Sequence, residues 1–386
     1  MRKPLLALLA STMLALPAFA LDTAARSALV VDEATGTILL QKNADEPLPP
    51  ASMSKLMTLN MVFEAIEAGR LSMDTELPVS QNAAAKGGSK MFTRAGSRIR
   101  VEDLIRGVII QSGNDACIVL AEGLAGSEDA FAAQMTERAQ ELGMTNSTFG
   151  NATGWPDPNQ LMSARDLVFL ANRLMQEFPD FYPIFAEESF TWEGITQNNR
   201  NPLLGIGMGA DGLKTGHTEE AGYGVVGSAK QGERRVTLMI SGLPSDAARA
   251  EEAERLMGWA FREFTTKQLF EAGETIATAE VWMGSSDRVP LVTESPVEPL
   301  IQIADQDNLR MTVRYNGPIE APIEAGQHIA NLDIRTGEDT VQTLPLVAGD
   351  AVPRGGYVKR LKTASAVLFD KVIGRGDAEL ASAEAE

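Results

Sequence analysis

The alternation of apolar and polar residues predicts a domain that mixes helices with an antiparallel sheet. Apolar runs on both sides of a glycine-containing turn predict a β-hairpin over residues 27–41. Residues 56–68 have helical periodicity, and their apolar side chains occupy most of the circumference, which is typical of a helix buried inside a domain. The same periodicity predicts further helices over residues 101–110, 115–124, 127–142, 164–177 and 246–264, and paired strands over residues 223–229 and 235–241.

A different pattern begins near residue 271 and continues to residue 353. Short runs rich in Val, Ile and Leu alternate there with turn residues such as Asn316-Gly317 and Gly326. This pattern predicts a small β-sandwich or barrel. The sequence of this segment shows no cluster of catalytic side chains, so we interpret it as a spacer or docking module.

The first 20 residues have the organisation of a secretory signal. Arg2 and Lys3 precede an apolar stretch that is too short for a comfortable membrane span, and the small-x-small sequence Ala18-Phe19-Ala20 follows it. We therefore expect residues 1–20 to be removed and the mature protein to act outside the cytoplasm.

The end of the chain predicts an amphipathic helix followed by an acidic tail. Residues 355–375 place apolar side chains at helical spacing beside several Lys and Arg residues, in a protein that is otherwise acidic. This is typical of a helix that lies in the plane of a membrane, although a helix packed on the β-domain would show the same spacing. Residues 376–386 are acidic and would repel anionic lipids.

Composition argues against several classes of function. The formal net charge is −18 and the isoelectric point is about 4.7, so the chain lacks the basic field that binding to nucleic acid requires. His217 and His328 are the only histidines, and Cys117 is the only cysteine. These counts argue against a multi-histidine zinc site and exclude a disulfide within the chain. We predict no metal, no other cofactor and no nucleic-acid partner.

Candidate chemistry begins with Ser52 and Lys55, at the start of the helix predicted over residues 56–68. Residues three apart share a helix face, so Lys55 Nζ can reach Ser52 Oγ. A serine becomes nucleophilic when a neighbour removes its proton, and a desolvated lysine can be that base. Unpaired N–H groups at a helix start also suit an oxygen that becomes negative. An exposed helix start without a catalytic role is the alternative for this pair taken alone.

Two further motifs could face this pair. Ser112-Gly113-Asn114 interrupts two apolar helices and could supply a hydroxyl and a carboxamide, although a simple helix-joining turn has the same composition. Lys214-Thr215-Gly216 lies on a predicted strand, where it can offer an ammonium, a hydroxyl and backbone N–H groups to an anion. A solvated lysine before a turn is the alternative there.

The order of the three motifs resembles that of penicillin-binding proteins and class A β-lactamases. The runs around Ser52, Ser112 and Lys214 are more specifically similar to D-alanyl-D-alanine carboxypeptidases, the low-molecular-mass penicillin-binding proteins, from about residue 25 to residue 265. Gly113 stands where many members of the family have aspartate. The resemblance implies an α+β fold of the β-lactamase/transpeptidase type, with a five-stranded antiparallel sheet, covering helices and a helical lobe.

We divide the chain accordingly into five segments. They are a signal peptide (1–20), a DD-peptidase catalytic domain (21–268), a small β-sandwich domain (271–353), an amphipathic membrane-association helix (355–375) and an acidic tail (376–386). The resemblance implies a periplasmic protein that is attached peripherally to the inner membrane through the amphipathic helix.

The resemblance also implies an activity and a set of roles. The enzyme would remove the terminal D-alanine from peptidoglycan stem pentapeptides through an acyl-serine, and β-lactam antibiotics would acylate and inhibit it. Ser52 would be the nucleophile and Lys55 its proton acceptor. The family pattern assigns the other catalytic positions to Ser112, Asn114 and Lys214. It assigns substrate binding to Thr215, Gly216, His217 and, on a looser match, Arg249, with the N–H groups of Ser52 and His217 as the oxyanion hole.

Three other functions share part of this pattern. A class A β-lactamase has the same motifs but adds a glutamate that activates water, and residues 151–162 contain no glutamate. A non-catalytic β-lactam sensor would keep the pocket, but the intact Ser52 and Lys55 argue against it. An endopeptidase that cuts peptidoglycan crosslinks stays open as an alternative.

Overall fold

The computed structural model describes residues 21–336, 339–357 and 383–384. Five strands form the central sheet of the first domain: β1 (Ser27–Asp32), β2 (Thr37–Lys42), β7 (Ala210–Thr218), β8 (Gly222–Gln231) and β9 (Arg234–Leu243). They pair in the order β2-β1-β9-β8-β7, and every pair is antiparallel. The chain leaves the sheet after the predicted hairpin, forms most of its helices and returns to the sheet at β7. Val30 of β1 then lies opposite Leu238 of β9.

Seven α-helices are found in the described part of the chain. They are α1 (Lys55–Glu67), α2 (Gln81–Ala85), α3 (Val101–Ile109), α4 (Asn114–Ala125), α5 (Glu128–Glu141), α6 (Ala164–Glu177) and α7 (Asp246–Arg262). Serine side chains set where four of them begin, because each accepts a hydrogen bond from a backbone N–H of the first turn. These serines are Ser80 for α2, Ser127 for α5, Ser163 for α6 and Ser245 for α7.

Successive side chains along a strand point to opposite faces of the sheet, and both faces of this sheet are apolar. Leu29 and Met239 belong to the core that contains α1 and α6, whereas Val30 and Leu238 belong to a second core built with α7. Helix α1 is buried on almost all sides, as its sequence predicted. Helices α3, α4 and α5 form the predicted helical lobe beside it, and the α+β fold is confirmed.

Short strand pairs connect these layers. β3 (Glu76–Pro78) pairs with β4 (Arg98–Arg100), and β5 (Ser189–Trp192) pairs with β6 (Ile195–Asn198). Gln197 Nε2 donates a hydrogen bond to the Lys90 carbonyl at 3.0 Å. The β5–β6 hairpin therefore contacts the glycine-containing loop at residues 86–90.

An all-β domain follows, as predicted. Its strands are β10 (Phe264–Thr266), β11 (Thr275–Trp282), β12 (Arg288–Val292), β13 (Leu300–Gln302), β14 (Leu309–Arg314), β15 (Ile319–Glu320), β16 (His328–Thr336), β17 (Asp339–Ala348) and β18 (Ala383–Glu384). Seven of them form one sheet in the order β15-β11-β12-β17-β16-β14-β18, and β10 pairs with β13. Pro290 lies in the centre of the short strand β12, where it cannot donate a hydrogen bond to a neighbouring strand.

The two ends of the chain are largely outside these ranges. The predicted signal peptide at 1–20, most of the predicted amphipathic helix at 355–375 and most of the acidic tail at 376–386 lie outside the described residues. No helix within the described ranges is both long enough and apolar enough to cross a membrane.

Candidate active site

Ser52 and Lys55 lie where a 3₁₀ turn (Ala51–Ser54) runs into α1. Lys55 Nζ and Ser52 Oγ are 2.8 Å apart, so the predicted contact between the two side chains is present. Strand β7 packs closely against this turn. A Cβ at Gly216 would lie 2.9 Å from the Pro50 carbonyl oxygen, so a side chain there would push the strand away from the serine.

Lys55 is fully buried and makes three hydrogen bonds. Its Nζ contacts Ser52 Oγ and Asn114 Oδ1, both at 2.8 Å, and the carbonyl oxygen of Thr153. Burial, with a smaller contribution from the positive charge of Arg200, lowers the pKa of Lys55 to about 8. A substantial fraction of this lysine is therefore a neutral amine near pH 8.

The same contacts can orient that neutral amine as a base. A neutral amine keeps two N–H bonds and one lone pair. The carbonyl oxygen of Thr153 and the amide oxygen of Asn114 can only accept, so they hold the two N–H bonds. The lone pair is then left for the hydroxyl proton of Ser52. The arrangement can therefore remove a proton from Ser52 without first rotating the lysine.

Asn114 and Ser112 lie where α3 ends and α4 begins, and they form the second wall of the active site. The Asn114 side-chain amide donates to the Gly87 carbonyl at 2.9 Å, which fixes the orientation of its oxygen toward Lys55. Ser112 is 2% exposed, and its φ of 56° is rare for a residue with a side chain. Its hydroxyl makes no hydrogen bond to another residue of the described chain.

The long loop before α6 completes the pocket of Lys55. Gly154 has φ of 77°, and a Cβ there would lie 1.9 Å from the Ala51 carbonyl oxygen. Only glycine allows the loop to come this close to the nucleophile's turn, and the closeness brings the neighbouring Thr153 carbonyl to Lys55. The sequence gives no indication of this contact, because a backbone carbonyl leaves no residue signature.

Strand β7 supplies the third motif. Lys214 and Thr215 are buried, and Lys214 Nζ donates to the Thr215 carbonyl at 3.0 Å. Burial first, and then the positive charge of Lys55, lower the pKa of Lys214 well below its ordinary range. His217 is exposed at the end of the strand, and its ring stacks on Tyr223 with centroids 3.8 Å apart.

Two arginines add positive charge to this region. Arg249 is 5% exposed; it donates to the carboxylate of Asp246 and to the Arg200 carbonyl, and its Nε is buried without a hydrogen-bond partner in the described chain. Arg200 Nη1 donates to Ser89 Oγ at 2.6 Å. The charges of both arginines contribute to lowering the pKa of Lys214. Arg200 is not among the site residues that the sequence predicted.

A cavity of about 650 Å³ opens beside Ser52, a volume typical of small-molecule sites. Its lining includes Ser52, Asn114, Trp155, His217, Glu219 and Glu220. Ser112, Lys214, Thr215 and Arg249 are not among its lining residues. A larger cavity of about 810 Å³ lies in the β-domain around β14 and β16, and none of the three motifs contributes to its lining.

Comparison with known proteins agrees with this geometry. Residues 14–244 match a family described as D-alanyl-D-alanine carboxypeptidase, and residues 264–354 match the C-terminal domain of penicillin-binding protein 5. The chain is 36% identical over 345 residues to the D-alanyl-D-alanine carboxypeptidase DacC of Escherichia coli strain K12, which covers 87% of this chain and 86% of that protein.

Solved structures show the same relationship. The D-alanyl-D-alanine carboxypeptidase DacD from Francisella tularensis is similar with a TM-score of 0.78 and 30% identity, over 87% of this chain and 95% of its own. Penicillin-binding protein D2 from Listeria monocytogenes, in its ampicillin-bound form, has a TM-score of 0.57 and 32% identity, over 62% of this chain and 98% of its own.

Proposed function

The chain belongs to the D-alanyl-D-alanine carboxypeptidase family, and we propose that it removes the terminal D-alanine from peptidoglycan stem pentapeptides through an acyl-serine intermediate. The observation that carries this proposal is the 2.8 Å contact between the buried Lys55 Nζ and Ser52 Oγ. Because the pKa of Lys55 is lowered to about 8, a nucleophile and a usable base lie in contact before substrate arrives.

Acylation begins when Ser52 Oγ attacks the carbonyl carbon between the two D-alanines. A C–O bond forms, Lys55 takes the hydroxyl proton, and the backbone N–H groups of Ser52 and His217 hold the oxyanion. Collapse of this intermediate breaks the C–N bond, and the departing D-alanine needs a proton on its nitrogen. Ser112 can relay that proton from Lys55, because its hydroxyl has no other partner within the described residues.

The terminal carboxylate of the substrate binds to Lys214, Thr215 and Arg249. Arg249 Nε has no hydrogen-bond partner within the described residues, and burial together with nearby positive charges lowers the pKa of Lys214, so both groups would gain from an arriving anion. An arriving carboxylate raises the pKa of Lys214, because an opposite charge favours the ammonium form. Substrate binding therefore restores the charge that burial disfavours.

Deacylation uses a water molecule and, we propose, Lys55 a second time. The segment 151–162 contains no glutamate that could activate water from the other side, and its Thr153 carbonyl bonds to Lys55 instead. After a peptide is cut, D-alanine departs and leaves room for water. A β-lactam keeps its leaving nitrogen tethered, so its adduct on Ser52 persists and inhibits the enzyme. The ampicillin-bound relative supports this part of the proposal.

The cellular location is a further part of the proposal. The signal-like residues 1–20 support export across the inner membrane into the periplasm. The amphipathic pattern of residues 355–375 supports peripheral attachment to that membrane.

The proposed carboxypeptidase activity can be tested by identifying the product that the enzyme forms from a muropeptide. We expect a monomeric stem ending in D-Ala-D-Ala to lose one alanine by mass spectrometry, and Ser52→Ala to leave it intact. Ser72→Ala, an exposed serine outside the site, serves as the matched control and should behave as the unaltered protein does. If the enzyme instead cuts a crosslinked dimer and leaves the pentapeptide whole, the endopeptidase alternative is the correct one.

A further inference from the structure

Asp115, the residue after Asn114, is a fully buried carboxylate in the first turn of α4. Its Oδ1 accepts a hydrogen bond from the Met91 N–H at 2.8 Å. Its Oδ2 accepts from the Thr93 N–H at 2.9 Å and from the Thr93 hydroxyl at 3.2 Å. Asp115 forms no ion pair with a residue that the structure describes. Because a buried charge is costly unless it is hydrogen-bonded, this carboxylate favours the conformation in which residues 91 and 93 donate to it.

Asn114 holds the same segment at two further points. Its backbone N–H donates to the Ser89 carbonyl at 2.8 Å, and its side-chain amide donates to the Gly87 carbonyl at 2.9 Å. We call residues 86–93 the covering loop. The first two residues of α4 therefore bind backbone groups of four alternate residues of the covering loop, at positions 87, 89, 91 and 93.

The covering loop also packs against Trp155. A Cβ at Gly88 would lie 2.8 Å from the Trp155 ring, so the indole is in direct contact with the backbone there. Lys86 Nζ lies 5.5 Å from the centroid of the same ring and 3.7 Å from the carboxylate of Glu128. That carboxylate in turn accepts a hydrogen bond at 3.2 Å from a backbone N–H of the loop that contains Trp155. The two loops therefore meet at Trp155.

Lys55 takes its acceptors from both sides of this junction. Its Nζ bonds to Asn114, which holds the covering loop, and to the carbonyl of Thr153, two residues before Trp155. We propose that Asp115 is a positioning residue for the reaction: it holds the covering loop against Trp155, and this closed junction keeps water away from Lys55. The inference rests on the proposed role of Lys55 as the base and adds what protects that base from solvent.

Asp115 influences Lys55 in two ways that have opposite signs. Burial is the largest cause of the lowered pKa of Lys55, whereas the negative charge of Asp115 raises that pKa. Loss of the charge alone would move the titration of Lys55 to lower pH, but opening of the junction would hydrate the ammonium and move it to higher pH. The other titratable groups that act on Lys55 stay in place when Asp115 is changed; they are Cys117 on α4, Glu128 on α5, Arg200 before β7 and Lys214 on β7.

Asp115→Asn keeps the shape of the side chain, but its NH₂ group must face the N–H of either Met91 or Thr93 and leaves that donor unpaired. We expect the midpoint of the pH profile for penicillin acylation to move to higher pH. The rate at pH 7 should fall about threefold to tenfold and recover at high pH. Amide hydrogen exchange within the covering loop should become faster in the same variant.

Asp129→Asn is the matched control for this change. Asp129 is exposed and occupies the second position of α5, as Asp115 does in α4. The control therefore removes a carboxylate from the start of a helix without touching the covering loop. It should leave both the midpoint and the hydrogen exchange of the covering loop unchanged.

Trp155→Ala opens the junction from its other side and leaves Asp115 with its partners. Trp155 lines the cavity, so we expect a lower rate at every pH. The midpoint of the second-order rate reports the free enzyme, however, and it should again move to higher pH. Asp115→Asn combined with Trp155→Ala should move the midpoint no further than Trp155→Ala alone, because both changes open the same junction.

Thermal unfolding shows whether each variant is folded, and Trp155→Ala decides the matter if Asp115→Asn is not. A midpoint that stays in place or moves to lower pH in folded Asp115→Asn, or one that stays in place in folded Trp155→Ala, overturns the inference. Unchanged hydrogen exchange of the covering loop in folded Asp115→Asn overturns it as well. These results leave the carboxypeptidase intact, whereas a flat profile in the unaltered enzyme overturns both this inference and the role of Lys55.

Discussion

Lys55 donates a hydrogen bond to the side-chain oxygen of Asn114 across 2.8 Å, and this contact joins the helix of the nucleophile to the second wall of the site. The partner is a neutral carboxamide, so it orients the lysine without stabilising its ammonium form as a carboxylate would. A buried lysine beside a neutral acceptor loses its proton more readily than a lysine in solution. The residue at position 114 therefore influences how readily Lys55 loses its proton.

Asn114→Asp should raise the pKa of Lys55, because an opposite charge within hydrogen-bond distance shifts a pKa by about 1–3 units. We expect penicillin acylation of Ser52 at pH 7 to slow at least about tenfold and to recover as the pH rises. Asn82→Asp, at an exposed asparagine outside the site, is the matched control. A uniform loss of activity at every pH would instead assign Asn114 a purely structural role.

The unaltered enzyme should show the titration of Lys55 in its own pH profile. Lys55 acts in its neutral form, so raising the pH increases activity. With a pKa of about 8, roughly a tenth of the lysine is neutral at pH 7 and roughly nine tenths at pH 9. The second-order rate of acylation by a penicillin, measured by rapid mixing, should rise roughly tenfold over this interval. A flat profile would exclude Lys55 as the titrating base.

Arg200→Gln should move this profile to higher pH, because it removes a positive charge that lowers the pKa of Lys55. Arg200→Lys keeps the charge and should leave the midpoint near that of the unaltered enzyme. Both changes disturb the hydrogen bond to Ser89, so the difference between the two midpoints isolates the effect of charge. Equal midpoints in the Gln and Lys variants would show that Arg200 acts only by holding the loop.

Deletion of residues 357–386 should convert a membrane-associated protein into one that stays in solution and remains active. The measurement is co-sedimentation of the mature protein with vesicles that contain anionic phospholipid. Deletion of residues 376–386 alone is the control, and it should strengthen binding because it removes acidic residues. Absence of binding by the full-length mature protein would exclude the anchor.

Much of this architecture could be predicted from the sequence, because periodicity and motif order report local structure directly. The predicted hairpin, the buried helix α1 and the helix at residues 164–177 are confirmed. The three motifs were also predicted to converge, and the structure joins Lys55 to Ser52 and to Asn114 by hydrogen bonds.

Contacts between distant segments could not be predicted in the same way. Arg200 meets Ser89 across 111 residues of sequence, and a polar run with one arginine gives no indication of that partner. The Thr153 carbonyl reaches Lys55 because Gly154 permits a close approach, which only the folded chain reveals. Glu219 and Glu220 are likewise ordinary glutamates in the sequence, and only the fold brings them to the cavity beside Ser52.

The measurement that tests the account most directly is the intact mass of the enzyme after brief mixing with each class of ligand. With a D-Ala-D-Ala peptide we predict release of one D-alanine with turnover, and the enzyme mass should return to its starting value. With penicillin we predict a penicilloyl adduct on Ser52 that persists for minutes or longer. A peptide left uncut while penicillin is destroyed within seconds would contradict the carboxypeptidase account.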